Sequence, residues 1–388
     1  MRLRTLPRGA LVGVALATVI SALVPSTAGA ATTPSSWPGA GFDIGSSYWG
    51  SSETTVSPTR VAAIKLNYVI PSAPVTDPFA CLAPVAPVEA GGRLFDVGPD
   101  GVSAYNQWSG ARLWNAPPPA YSNGLYYQYV TGMQVIGNDL YLAFTDCVSL
   151  SNSHAHILVL DASTGAQVSP EWSTDGGGEV VFAGPVTLGS ETNNTVNFVV
   201  ATDLAGNDLW IKDNWGFGPV GQGLAFLSSD TGVPSAIRLL DGSVAWSLPS
   251  MVGARPIALS QDGKDLYLVT SSGGLLSVNP LTGATRMKVV AGRGGPMAVT
   301  ATVVYSNCGS LANTLCATRR SDGKKLWSVA TPAGQPLVAD GVVYCGGRTY
   351  SATTGVRIKS AVLDGTVISS VSGGRVYALI GSTVESYK

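Results

Sequence analysis

The sequence predicts an all-β protein, an eight-bladed β-propeller built of four-stranded antiparallel blades, with seven blades as the alternative. Three observations predict this fold. A glycine turn recurs seven times in 388 residues, two β-rich runs precede each turn, and further strands remain after the seventh turn. A repeat near 41 residues is typical of a propeller blade.

The recurring turn occurs in NQWSGARLW, LDASTGAQV, TDLAGNDLW, LLDGSVAW, NPLTGATRM, RSDGKKLW and SATTGVRIK. Its glycines are Gly110, Gly165, Gly206, Gly242, Gly283, Gly323 and Gly355, at spacings of 55, 41, 36, 41, 40 and 32 residues. Glycine supplies the positive φ of a tight turn, and the Asp or Asn in front can accept hydrogen bonds from the turn backbone. The count falls to seven blades if the weak third unit merges with the fourth.

Each unit carries the runs expected of a blade. Runs such as AHILVL precede the turn, and runs such as DLYLAF or GVVYCG precede those. A Trp stands four residues after the glycine in four units, at Trp114, Trp210, Trp246 and Trp327, and the second unit has Trp172 three positions later. We interpret these rings as packing against the neighbouring blade, because a large flat side chain can cover glycine backbone.

The end of the chain, residues 365–388, supplies strands of a last blade without its outer strand. Residues 61–70, VAAIKLNYVI, form a suitable β segment ahead of the first unit. We expect this N-terminal strand to close the last blade, since closure removes unpaired edges.

The first thirty residues have the form of a signal peptide. Arg2, Arg4 and Arg8 precede the apolar run ALVGVALATVISALV and the small-residue site Ala28-Gly29-Ala30. We therefore expect residues 1–30 to be removed and residues 31–388 to form one secreted propeller domain, without a membrane span and as a monomer. The composition suggests a bacterial source.

Composition narrows the classes of partner. Removal of the three arginines lowers the formal net charge from −1 to about −4, and 12% of the residues are charged. This charge balance gives no sign of the basic surface patch that nucleic-acid binding requires.

The glycine turns with their tryptophans, together with the stretch WPGAGFDIGSSYWGSSETTVSPTRVAAIKLNYV, resemble the PQQ-like (pyrroloquinoline quinone) β-propeller repeat family from Trp37 to Lys388. The resemblance implies either a quinoprotein dehydrogenase, with calcium ligands, a catalytic Asp and often adjacent cysteines, or a compact non-catalytic scaffold. The sequence has neither a Cys-Cys pair nor a CxxCH motif. It also departs from the scaffold branch, whose lipidated Cys it lacks.

We therefore expect an exported non-catalytic binding or scaffolding propeller at the cell envelope, with no cofactor, no catalytic residues and no metal. The alternative is a secreted enzyme on a propeller scaffold, either a PQQ-dependent dehydrogenase or a glycan-acting hydrolase or lyase.

Binding is expected at the face that carries the connections between blades, here called the connection face. The glycine turns lie on the opposite face, here called the hairpin face. The longest insertions fall on the connection face; they are NAPPPAYSNGLYYQYVTG, TDCVSLSNSHAH and KDNWGFGPV. Aromatic residues there suit a protein, a peptide or a cell-wall glycan, or else they merely cap the channel. The candidates are Tyr126, Tyr127, Tyr129, Trp215 and Phe217.

Five cysteines in an exported chain suggest disulfides. Cys308 and Cys316 flank GSLANTL at a spacing suited to a cross-strand bridge, and Cys81 could pair with Cys147. Cys345, in VVYCGG, would then be left without a disulfide partner. It is interpreted as a buried residue of an inner strand, with a reactive thiol as the alternative.

His154 and His156 would face the same way on a strand and could ligate a metal with Asp146. A polar loop entering a strand is the preferred interpretation.

Overall fold

A computed structural model describes residues 36–72, 86–98, 100–117, 129–145, 154–175, 178–192, 197–289, 295–308 and 313–388. Its strands form eight antiparallel sheets of four strands, one of which gains a short fifth strand. The helical elements in these ranges are α1, Pro58–Ala63, and a 3-10 turn, Pro249–Met251. The predicted eight-bladed propeller is confirmed, and the seven-bladed alternative is wrong.

The strands follow one another around the ring. Two precede the first complete blade: β1 Trp49–Gly50 and β2 Leu66–Pro71. Blade 1 contains β3 Val88–Ala90, β4 Arg93–Gly98, β5 Gly101–Asn106 and β6 Arg112–Ala116. Blade 2 contains β7 Tyr129–Ile136, β8 Asp139–Thr145, β9 Ala155–Asp161 and β10 Trp172–Thr174. Blade 3 contains β11 Val180–Ala183, β12 Val186–Thr192, β13 Asn197–Asp203 and β14 Asp208–Asp213. Blade 4 contains β15 Val220–Gly221, β16 Leu224–Ser228, β17 Pro234–Arg238 and β18 Val244–Ser247.

The second half repeats the pattern. Blade 5 contains β19 Arg255–Leu259, β20 Leu266–Val269, β21 Leu275–Val278 and β22 Thr285–Val289. Blade 6 contains β23 Met297–Val299, β24 Val303–Cys308, β25 Thr314–Arg319 and β26 Lys325–Ala330. Blade 7 contains β27 Leu337–Ala339, β28 Val342–Cys345, β29 Arg348–Ser351 and β30 Arg357–Ile358. Blade 8 contains β31 Ser370–Ser372, β32 Arg375–Ile380, β33 Thr383–Tyr387 and, as its outer strand, β2.

The N-terminal strand closes the last blade, as predicted. β2 pairs antiparallel with β33, with Tyr68 opposite Ser386 and Ile70 opposite Val384. The predicted range of 61–70 is wrong at its start, since residues 58–63 form α1. Ser57 caps this helix by accepting from the Arg60 amide, and Pro58 suits the first helical turn. The strand therefore begins only at Leu66.

Each glycine turn joins the third strand of a blade to the fourth, and the seven turn glycines have φ between 66° and 84°.

The outer-strand tryptophans lie over the turn glycines of the following blade. A Cβ atom built on Gly165 would lie 2.7 Å from Trp114, and one on Gly242 would lie 2.6 Å from Trp210. The indole nitrogens of Trp114, Trp210, Trp246 and Trp327 donate to turn carbonyls of that blade at 2.7–3.2 Å. A side chain at any of these glycines would force neighbouring blades apart.

The hydrophobic core lies between blades. Phe95 and Val102 of blade 1 pack with Met133 and Leu140 of blade 2 in one buried cluster. Blade faces elsewhere in the ring pack in the same pairwise way. Since each blade buries its apolar residues against its neighbours, stability depends on an unbroken ring.

The N-terminal segment 37–53, here called the strap, crosses the inner strands. Its backbone carbonyls accept hydrogen bonds of 2.7–3.0 Å from the amides of Val135, Val220, Leu259, Val299 and Val338, which belong to blades 2, 4, 5, 6 and 7. In blade 1, Trp37 exchanges two backbone bonds of 2.8 Å with Glu89. These inner-strand residues lie at or next to the end of their strands, where the first hairpin of each blade begins. The strap therefore occupies the mouth of the channel on the hairpin face.

Candidate functional site

The predicted aromatic residues are only partly within the described ranges. Trp215 and Phe217 lie in the connection from β14 to β15, on the connection face. Tyr129 begins β7, while Tyr126 and Tyr127 lie outside the described residues. Whether these side chains share one patch stays a prediction.

The connection that carries Trp215 and Phe217 is held by backbone pairing. Gly216, between them, donates to the Ser228 carbonyl at 2.8 Å and accepts from the Ser228 amide at 3.1 Å. Both rings are half-buried and pack on the core shared by blades 3 and 4. Each ring thus has an anchored part and an exposed part, an arrangement that suits recognition as well as it suits packing.

A cation lies close to one of these rings. Lys212 Nζ is 6.0 Å from the centroid of the Trp215 ring. This separation is at the limit of a cation–π contact, which is worth about 0.5–1 kcal/mol at an exposed site. The pair offers a partner both an aromatic face and a positive charge.

A cavity of about 230 Å³ lies between the strap and the inner strands of blades 2 and 3. Its polar lining comes from Asp43, Ser46, Tyr48, Thr131, Gln134 and Glu179, and Ile44, Met133 and Phe182 contribute apolar surface. Its volume is below the roughly 300–1,000 Å³ of typical ligand pockets. The strap thus forms one wall of it.

The acids of this cavity differ in their environments. Asp43 accepts from the Ser47 amide at 3.0 Å and from the Ser47 hydroxyl at 2.6 Å, which fixes the bend of the strap. Burial raises the pKa of Asp43 despite these bonds. Desolvation at the cavity wall also raises the pKa of Glu179, although the residue as a whole is exposed. Burial raises the pKa of Tyr48, with a smaller contribution from the Glu179 charge. Two carboxyls with raised pKa beside a cavity could exchange protons with a ligand.

An ionic cluster on the hairpin face connects blades 5 and 6. Arg320 donates to Asp265 at 2.7 Å, to Asp262 at 3.1 Å and to the Thr300 carbonyl at 2.8 Å. Burial opposes ionisation of Asp262, yet hydrogen bonds from Ser260, Lys264 and Arg320 lower its pKa to about 2. In blade 5 the outer-strand position that is Trp in four other blades is Met287. We therefore interpret the ionic cluster as the contact that holds blades 5 and 6 together.

His154 directly precedes β9, and His156 is the second residue of that strand. His154 Nδ1 lies 3.0 Å from Asp175 Oδ1, and both side chains are about half exposed. Asp146, the predicted third ligand, lies outside the described residues. In the described part of the chain no cluster of three His, Cys, Asp or Glu residues has the geometry of a metal site.

A disulfide joins Cys308 at the end of β24 to Cys316 in β25, with 5.9 Å between the Cα atoms. Cys81 and Cys147 lie outside the described residues. Cys345 is free and buried, but it belongs to β28, the second strand of its blade, so its placement on an inner strand is wrong. Burial raises the pKa of its thiol to about 12, which argues against a reactive nucleophile.

Sequence reasoning missed the strap and the cavity behind it. The signal was the stretch WPGAGFDIGSSYWG, whose glycines and aromatics precede the first repeat. The strap includes non-glycine residues at positive φ, namely Phe42, Ser46 and Tyr48. Such backbone is uncommon for residues with side chains and marks a segment held by its surroundings.

No protein-family model and no curated protein sequence matches the chain. Solved structures do match. A europium-containing methanol dehydrogenase is 11% identical with a TM-score of 0.61, covering 91% of this chain and 98% of that one. BamB from Moraxella catarrhalis is 16% identical with a TM-score of 0.59, covering 84% of this chain and 97% of that one. Quinohemoprotein alcohol dehydrogenase from Comamonas testosteroni is 13% identical with a TM-score of 0.61, covering 91% and 80%. At these identities the likeness concerns the fold, which is the one that the resemblance implies.

Among the described residues, no helix has the length and apolar character needed to cross a bilayer.

Proposed function

We propose that this protein is an exported, non-catalytic binding or scaffolding module of the cell envelope, whose partner binds at the connection face. The observation that carries the proposal is the strap, which occupies the opposite mouth of the channel through hydrogen bonds to inner strands. Loops free to receive a partner are then those of the connection face. Insertions that lengthen a repeat without enlarging its core favour recognition.

The half-buried rings of Trp215 and Phe217 support the same face. Their buried parts pack on the core of blades 3 and 4, so that a partner meets rings that are already held in place. Preordered aromatic rings lose little entropy on binding and are common anchors in interfaces. The partner is a protein, a peptide or a cell-wall glycan.

A second candidate, a glycan-acting hydrolase on the same scaffold, is favoured by the cavity under the strap. Asp43 and Glu179 line it; burial raises the pKa of Asp43, and desolvation raises that of the more exposed Glu179. A general acid in glycoside hydrolysis requires such a raised pKa. Glu179→Gln removes the titratable group and should leave partner binding at the connection face unchanged.

Site-specific photocrosslinking tests the binding face. A benzophenone side chain is placed at Phe217 and, as the matched control, at Leu281, which is 60% exposed on the hairpin face. Incubation with the cell-envelope fraction should give a discrete adduct from position 217 and none from position 281. Equal labelling at the two positions, or labelling at 281 alone, would place the partner elsewhere.

Export is tested separately, by the intact mass of the protein recovered outside the cytoplasm. Residues 1–30 are proposed to be a cleaved leader, so the mature chain should begin near Ala31. Recovery of the full chain in the cytoplasm would contradict the proposal.

A further inference from the structure

The seam between blade 8 and blade 1 is where the two ends of the ring meet. Polar contacts cross it in several places. The Tyr68 hydroxyl donates to the Gln107 carbonyl at 2.7 Å, and Gln107 Nε2 donates to Ser372 Oγ at 2.8 Å. Arg375 donates to the Trp108 carbonyl at 3.2 Å. The ring is thus closed by β2 and by side chains, and no peptide bond joins the outer strand to the rest of blade 8.

Buried charged residues are concentrated at this seam. In the described part of the chain they are Glu53, Glu89, Asp96 and Arg375. Glu89 and Asp96 belong to blade 1 and Arg375 to blade 8, while Glu53 accepts from the Gly374 amide of blade 8 at 3.0 Å. At the seam between blades 5 and 6 the nearly buried charges of Arg320 and Asp265 pair with each other at 2.7 Å, whereas Glu89 and Asp96 have no cation beside them.

Glu89 and Asp96 point from blade 1 toward blade 8. Glu89 lies opposite Leu94 across β3 and β4, and Asp96 follows Leu94 by two residues, so both side chains lie on one face of the blade. Ser370 of β31 donates to Glu89 Oε1 at 2.6 Å. Ser72, which follows β2, donates to the carbonyl of Val97, the neighbour of Asp96, at 3.4 Å. Glu89 therefore contacts the inner strand of blade 8, and Asp96 lies next to the contact that the residue after β2 makes with blade 1.

Neither carboxyl is matched by a cation. Glu89 Oε2 and Asp96 Oδ2 are buried without a hydrogen-bond partner among the described residues. Arg375 directs its guanidinium to the carbonyls of Gly373 and Trp108. The remaining titratable groups are tyrosines: Tyr68 and Tyr377 of blade 8 near Glu89, and Tyr105 of blade 1 near Asp96.

Such burial favours the neutral carboxylic acid. It raises the pKa of Glu89 to about 8 and the pKa of Asp96 to about 7, although hydrogen bonds from serines act in the opposite direction. The closed seam therefore contains two neutral acids in mildly acidic solution and two negative charges in alkaline solution.

We propose that the seam between blades 8 and 1 is an alkali-sensitive latch, in which ionisation of the buried carboxyls of Glu89 and Asp96 detaches β2 from the ring while the other seams stay closed. The charged carboxylates require water, which they reach when β2 and Ser72 move away from blade 1. Detachment exposes the cluster of Ile70, Tyr377 and Val384 and the edge of β33.

Hydrogen exchange followed by mass spectrometry tests the latch on the full mature chain. After correction for intrinsic exchange rates, the amides of β2 should exchange at least tenfold faster at pH 9 than at pH 6. The amides of β18, an outer strand docked by Trp246, should change little. Equal acceleration of the two strands, or none in β2, overturns the proposal.

The double variant Glu89→Gln and Asp96→Asn should remove the pH response of β2, because both amides stay neutral. The matched control is Glu179→Gln, which removes a carboxyl with a raised pKa that lies away from the seam and should leave the response intact. Should the double variant not fold, each single variant is compared with the wild type, and each should reduce the response of β2. Persistence of the full response in both single variants overturns the proposal.

Discussion

The ring of Tyr68 lies against the turn glycine Gly110, so closely that a Cβ atom on Gly110 would stand 2.7 Å from the ring. Trp114 has the same relationship to Gly165, and Trp327 to Gly355. Tyr68 therefore packs its blade against the turn glycine of the next blade, as the tryptophans do at other seams. The outer strand of blade 8 comes from the opposite end of the chain, yet it docks on blade 1 by the same contact.

Two replacements of Tyr68 should lower the stability of the propeller to different extents. Tyr68→Phe removes the bond of 2.7 Å to the Gln107 carbonyl and should lower the free energy of unfolding by about 0.5–1.5 kcal/mol. Tyr68→Ala also removes the ring and should cost on the order of 3 kcal/mol. Denaturant titration measures both. Equal stability of all three proteins would show that this contact does not close the seam.

Deletion of residues 31–70 should abolish cooperative unfolding. The deletion removes most of β2 together with the strap, so β33 loses its partner and the inner strands lose their backbone hydrogen bonds. Thermal unfolding followed by circular dichroism provides the measurement. An unchanged melting temperature would contradict the described role of the N-terminal segment.

The free energy of unfolding should fall as the pH rises from 5 to 8. The folded protein keeps protons on Glu89 and Asp96, with pKa values of about 8 and about 7, whereas the unfolded chain releases them near the ordinary values of 4.5 and 3.8. Unfolding therefore releases protons, and each group lowers stability by up to about 1.4 kcal/mol per pH unit across that window.

Glu89→Gln should flatten this dependence, since an amide does not titrate. The exposed Glu171→Gln serves as the control and should leave the slope as in the wild type. Urea titrations at each pH give the values. A stability that rises between pH 5 and 8 would contradict the assignment of buried neutral acids.

The fold could be predicted because its signal is local. A turn such as LDASTG specifies its own backbone, since Asp161 accepts from the amides of Ser163 and Thr164 within the same turn. Glu89 gave no such signal. Its environment depends on Ser370, 281 residues away, and a short strand such as VEA does not reveal which blade will face it. The strap was missed for the same reason, because its backbone contacts leave no periodic pattern of side chains.

Pyrroloquinoline quinone with calcium should neither stabilise the protein nor support dye-linked alcohol oxidation. The expectation rests on the sequence, which has no adjacent cysteine pair and short repeats. A ligand that binds the native state at 100 times its Kd would add about 2.7 kcal/mol to the free energy of unfolding. Thermal-shift measurement detects such a gain. A clear rise in melting temperature would instead favour the dehydrogenase branch of the resembled family.

The aromatic residues of the connection face and those of the blade seams should respond oppositely to substitution. Ala at Tyr126, Tyr127 or Trp215 should weaken partner binding by about 1–2 kcal/mol or more for each anchoring residue, with little change in melting temperature. Ala at Trp246 or Trp327 should cost about 3–5 kcal/mol of stability, because each ring covers a turn glycine and its indole nitrogen donates across the seam. Titration calorimetry with the partner that crosslinking identifies measures the loss of binding, and thermal unfolding measures the loss of stability. Loop variants that unfold early but bind normally would mean that their rings fill space, and that the partner binds elsewhere.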